Sequence, residues 1–71
     1  MWSKRQEDFV DQAKQLTAEN SIDSGVFSYS FQSEGRVEAT NVGGDFVDDE
    51  VWKALVDLAS SYGFTLTEDR P

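Results

Sequence analysis

The stretch VFSYSFQSEGRVEAT, residues 26–40, places Phe27, Tyr29 and Phe31 on alternate positions with serines between them. A period of two is the mark of a strand with one buried and one solvated face. The rings are either a platform for a ligand such as unstacked bases or the inner face of a sheet, and register separates the two. A two-residue Glu34-Gly35 turn would set Phe31 opposite Glu38 and Tyr29 opposite Thr40, mixing rings and charge on one face. A three-residue loop over 33–35, a type I turn closed by a left-handed Gly35, instead pairs Phe31 with Val37, Tyr29 with Ala39 and Phe27 with Asn41. This register gives one apolar face. It leaves Val26, Ser28, Ser30, Gln32, Arg36, Glu38, Thr40 and Val42 on a solvated one. The rings are therefore expected in the core, in strands over 26–32 and 36–42.

Residues 3–19, upstream, read as a helix. Ser3 with Gln6 forms a capping box, and Trp2, Phe9, Val10, Ala13, Leu16 and Thr17 fall on one side at 100° per residue. Lys4 and Arg5 occupy the first turn, where the helix dipole disfavours positive charge. The segment NSIDSG, residues 20–25, ends this helix with residues that bond their own backbone or tolerate left-handed geometry. Downstream, Asp48 is a helix N-cap, Asp49 and Glu50 suit the positive helix start, and Val47 can staple against Trp52. Val51, Leu55, Leu58, Ala59 and Tyr62 recur at the spacing of a buried helix face, with Trp52 and Val56 on its margin. Gly63 stops the helix, and FTLT, residues 64–67, alternates as a third strand ahead of a frayed EDRP tail.

The order α-β-β-α-β predicts an α+β fold, a two-layer sandwich with both helices on one face of a three-stranded antiparallel sheet in the order 2-1-3. The alternative sets the third strand beside the second. At 71 residues the chain, 1–71, is a single small domain near the lower size limit for a core without disulfides or metal.

Composition narrows function by exclusion. Cysteine and histidine are absent, which removes thiolate chemistry, soft-metal sites and the side chain that titrates near neutral pH. A water-excluding cleft with supporting residues needs more chain than this, so no enzyme, catalytic residue or cofactor is expected. The net charge is −8, and residues 37–69 hold eight acids against Lys53. Such a surface repels phosphate, so neither nucleic acid nor anionic membrane is an expected partner. A stacking platform needs bases interleaved with its rings, and around Phe27, Tyr29 and Phe31 there is Arg36 alone. No apolar run approaches the roughly 20 residues of a membrane span, and the expected location is the cytoplasm.

The acids Asp45, Asp48, Asp49 and Glu50 follow Gly43-Gly44 but lack the alternating ligands and terminal Glu of a Ca²⁺ loop, so no metal is expected. GGDF lacks the Lys of a phosphate loop. The acidity itself is read as solubility, as adaptation to a salty cytoplasm, or as imitation of nucleic acid. The expected function is that of a small acidic protein that binds another protein with a basic surface, as regulator or inhibitor. Its sharpest form is a nucleic-acid mimic of the kind phages and mobile elements encode. Glu38, Asp45, Asp48, Asp49, Glu50, Trp52 and Asp57 are the candidate partner-binding residues, and a mimic would set Asp45, Asp48, Asp49, Asp57 and Glu38 along one side with Glu68 and Asp69 nearby. A self-associating structural subunit, such as a homodimer, is the alternative, and a carboxylate-based metal binder the second. Trp2 is read as a lid on the first helix.

Overall fold

The computed structural model describes residues 2–23, 25–33, 35–44 and 46–69. Helix α1 (Lys4–Glu19) leads into strands β1 (Phe27–Ser33) and β2 (Arg36–Asn41), then helix α2 (Asp49–Ser61) and strand β3 (Thr65–Asp69). The fold is α+β, with both helices over one face of a mixed three-stranded sheet. Each helix starts where its cap chemistry puts it. The Ser3 hydroxyl accepts from the Gln6 N–H at 3.2 Å while the Gln6 side chain accepts from the Ser3 N–H at 2.7 Å. An Asp48 carboxylate oxygen accepts from the Val51 N–H at 3.0 Å.

The β1–β2 hairpin has the register that segregates its faces: Phe27 lies opposite Asn41, Tyr29 opposite Ala39 and Phe31 opposite Val37. Its turn reaches that register by a different route from the expected one. Ser33 pairs with Arg36, as a Glu34-Gly35 turn requires, and an irregularity between Phe31 and Ser33 absorbs one residue and shifts the pairing. Glu34 itself lies outside the described residues. The bulge reconciles a tight turn with an apolar inner face.

Strand order differs from the expected one. The sheet runs β1-β2-β3, with β3 parallel to β2, so it is neither all-antiparallel nor ordered 2-1-3. The reason is connectivity. A β2–α2–β3 crossover in one sheet sets β3 parallel to β2, and consecutive elements usually lie side by side, which is the alternative placement of the third strand beside the second. Central placement also suits β2, whose inward Val37 and Ala39 are fully buried. The third strand reaches further than FTLT: Glu68 lies opposite Ala39 and Asp69 opposite Thr40, so part of the expected frayed tail is sheet. Arg70 and Pro71 are outside the described residues.

Phe9 from α1, fully buried, is the hub of the core. It meets Tyr29, Phe31, Tyr62 and Phe64 edge-on, at centroid distances of 5.7, 6.4, 6.1 and 5.8 Å. Trp52 from α2 packs against Phe27 at 5.9 Å on the same sheet face. Leu55, Ala59, Ala13 and Val10 fill the space between. Val26 is a second correction, since it is fully buried rather than on the outer face. Its carbonyl accepts both the Val42 and Gly43 N–H groups, at 2.9 and 3.1 Å, so the chain is bulged there and alternation does not extend to it. Gly43 permits this approach, because a Cβ there would sit 3.0 Å from Val26 Cα.

Both helix C-termini close with the paired backbone bonds of a left-handed terminus. At α2, Phe64 N–H reaches Ala59 O at 2.8 Å and Gly63 N–H reaches Ser60 O at 2.9 Å, with Gly63 at φ +83°. At α1 the equivalent bonds are Ile22 to Thr17 at 2.9 Å and Ser21 to Ala18 at 3.1 Å, but the left-handed residue is Ser21, at φ +62°. A Cβ in that conformation is strained. Ser21→Gly is therefore expected to raise stability by about 0.5–1 kcal/mol, roughly 2–8 °C in Tm by calorimetry. An unchanged or lower Tm would show that the strain is absent.

Burial pushes the Tyr29 hydroxyl pKa from 10.0 up to about 12. The unfolded chain ionises first, so this contribution to stability is complete below pH 10 and falls as pH rises through about 12. The loss is at most about 1.4 kcal/mol per pH unit. Denaturant midpoints measured from pH 9 to 12 should fall less steeply for Tyr29→Phe than for the parent chain; parallel slopes would contradict the burial.

Candidate interaction surface

The two ends of the sandwich differ in construction. At the hairpin end, Trp2 meets Phe31 edge-on at 5.4 Å, and the Arg5 guanidinium lies 4.9 Å from the centre of the Phe64 ring. The same guanidinium lies beside Gly63, where the negative end of the α2 dipole welcomes a cation. This accounts for a base in the first turn of α1: it serves the end of the other helix. Lys4 is held by Asp8, four residues on, at 3.5 Å, and both are exposed enough that the pair adds little. Trp2 thus covers the end of the core, although it remains 42% exposed.

The crossover end is reached by the C-terminus of α1, the residues after β2 and the N-terminus of α2. Ring contacts fix this arrangement: Arg5, at the start of α1, meets Phe64 beyond the end of α2, so the helices run antiparallel. Glu19, Asp23, Asp48, Asp49 and Glu50 are all exposed at this end, with Lys53 one turn into α2. The hairpin end mixes signs, with Lys4, Arg5 and Arg36 beside Glu7 and Asp8. The acidity is therefore concentrated along the molecular axis rather than spread evenly.

The candidate residues are only partly brought together. Asp48, Asp49 and Glu50 share the first turn of α2, with Trp52 half-buried in the next. Asp57 is exposed further along the same helix. Glu38 is elsewhere: its neighbours Val37 and Ala39 point into the core, so its side chain joins Ser30 and Thr67 on the uncovered sheet face, on the layer opposite α2. A single acidic side containing Glu38 and Asp48 together is not formed. Asp45 lies outside the described residues. Among the described residues, no three carboxylates converge where a metal ion would sit, and no helix is long and apolar enough to cross a membrane.

Val42, expected on the solvated face, lies just past the end of β2 and is 64% exposed, while Phe46, 85% exposed, escapes a reading by periodicity. Phe46 sits between a glycine pair and a helix cap, where no pattern signals burial or exposure. Glu19 and Asp23 are also missed, because their nearness to the start of α2 depends on helix antiparallelism. Comparisons of the chain with family models, curated proteins and solved structures find no match.

The Asp48 carboxylate has a structural duty as a cap, separable from its charge. Asp48→Ala is expected to cost about 1 kcal/mol, whereas Asp48→Asn, which keeps the accepting oxygen, should stay within a few tenths. Urea midpoints compare the three; equal losses for both variants would mean the cap bond contributes nothing.

Proposed function

We propose that the chain is a non-enzymatic protein-binding module whose acidic crossover end is steered toward a basic surface on another protein. The observation that carries this reading is the gathering of Glu19, Asp23, Asp48, Asp49 and Glu50, all exposed, at one end of the sandwich. Like charges held on one end make a field that orients a diffusing molecule before contact. In the sharpest form of this reading the acids of the crossover end, without Glu38, occupy a groove that would otherwise receive nucleic acid, and the module acts as an inhibitor. Its rings argue against binding of nucleic acid by the chain itself, since Phe27 and Tyr29 are buried beneath the helices and offer bases nothing to stack on.

Affinity capture from the native host at low salt, followed by elution with salt, is the test. The partner should be released as ionic strength rises past the point where the screening length drops to about 8 Å. Against that partner, D49K/E50K is expected to slow association on the order of tenfold while changing dissociation less. A complex whose association is indifferent to salt and to these reversals would defeat the proposal.

A second reading is favoured by one feature of β1: residues 27–33 contain no charged side chain, and β1 is an edge of the sheet. Unguarded edges pair with other strands. Self-association through β1 would make the chain an assembly subunit, and sedimentation over a concentration series separates it from the first reading.

A further inference from the structure

The two edges of the sheet are built differently. Strand β3 carries acids: Glu68 lies in register with the buried Ala39, which turns its side chain toward the helix-covered face, and Asp69 follows it. A charge pointing inward on an edge strand keeps other strands from adding to it. Strand β1 has no such guard. Residues 26–33 hold neither a charge nor a proline, and Ser28 and Ser30 are exposed on the uncovered face. The backbone of β1 is also open to pairing. The Val42 N–H donates to the Val26 carbonyl, and antiparallel bonds skip every second pair. In this register Ser28 and Ser30 bond to Thr40 and Glu38, while Phe27, Tyr29 and Phe31 turn their N–H and C=O groups outward along the edge. Among the described residues, no turn or loop backbone bond reaches those three.

We propose that the occupant of this edge is a second copy of the chain, its β1 laid antiparallel to the first about a two-fold axis beside Tyr29 and normal to the sheet. The inference rests on the reading of self-association through β1 and names its register. Phe27 then lies opposite Phe31 of the partner subunit, and Tyr29 opposite Tyr29 of the partner subunit, each pair exchanging backbone bonds. The strand is complementary to itself in this register. Ring meets ring on the helix-covered face, and Ser28 meets Ser30 of the partner subunit on the other. A strand without charge has nothing along it to select a basic segment of a different protein. Charge selects the direction of pairing instead. Parallel copies would set the crossover ends, with Glu19, Asp23, Asp48, Asp49 and Glu50, side by side. Antiparallel pairing sends them to opposite ends of the dimer, each toward a hairpin end that carries Lys4, Arg5 and Arg36.

Sedimentation of the full chain over a concentration series should show a monomer–dimer equilibrium. The double variant S28K/S30K, which sets Lys against Lys across the axis at two exposed positions, should weaken the dimer on the order of tenfold, with melting curves confirming that it is folded. The register is read by cross-linking, since the chain has no cysteine of its own. Ser28→Cys and Ser30→Cys chains, one isotopically labelled, are mixed in equal amounts and oxidised, and the products are weighed by mass spectrometry. The mixed disulfide should exceed either same-site disulfide on the order of tenfold, because only the mixed pair lies directly opposite. This measurement decides the register whether or not the lysine variant folds. A dimer that S28K/S30K weakens but that yields no excess of the mixed disulfide overturns the register and leaves self-association through β1 standing. A dimer that folded S28K/S30K leaves intact, or a monomer at every concentration, overturns that reading as well.

Discussion

Everything in this small sandwich leans on the Phe9 ring. It is fully buried and meets rings from β1, from the cap of α2 and from the residue before β3, all edge-on. Edge-to-face pairs add about 0.5–1.5 kcal/mol each beyond their buried area. In a chain of 71 residues, where burial barely offsets conformational entropy, a few such terms are a large share of the margin. The same ring decides what Tyr29 and Phe31 do. They are committed to the core by the helix above them, so recognition has to be sought on other surfaces.

The closure of the hairpin end follows from that commitment. Phe31 and Phe64 border Phe9 at the margin of the core, and Trp2 and Arg5 lie over them. Arg5 acts twice, as a cover for the Phe64 ring and as a cation beside the terminus of α2, which has no base of its own in its last turn. A residue that looks unfavourable in its own helix is favourable in the tertiary structure. Local electrostatic rules are sums over whichever charges are near, and nearness here is set by antiparallel packing of the helices.

That distinction marks what the sequence discloses. The hairpin register is legible because Phe31, Tyr29 and Phe27 can share a face with Val37 and Ala39 in one alignment, and a slip of one residue would bury Glu38. The caps at Ser3 and Asp48 are legible because their bonds span three residues. Strand order is less so, since both placements of β3 bury Phe64 and Leu66 and differ in which edge of the hairpin it joins. Val26 misleads because a bulge interrupts the alternation used to place it. The candidate surface is legible only in its first turn of α2; Glu19 and Asp23 join through tertiary packing, Glu38 departs through the sheet's own alternation, and Phe46 belongs to no periodic element.

The two ends differ in how far their apolar side chains are covered. Covering Phe31 and Phe64 occupies the N-terminal Trp and one of the few bases in the chain. At the crossover end Phe46 and Val42 have no such cover among the described residues, although Ile22, Val47 and Trp52 are all at least partly packed on the core. Folding has drawn in Ile22, Val47 and Trp52 at least in part and left Val42 and Phe46 exposed. Exposed in the folded and the unfolded chain alike, they add nothing to stability, whereas burial gains roughly 25 cal/mol for each Å² of apolar surface.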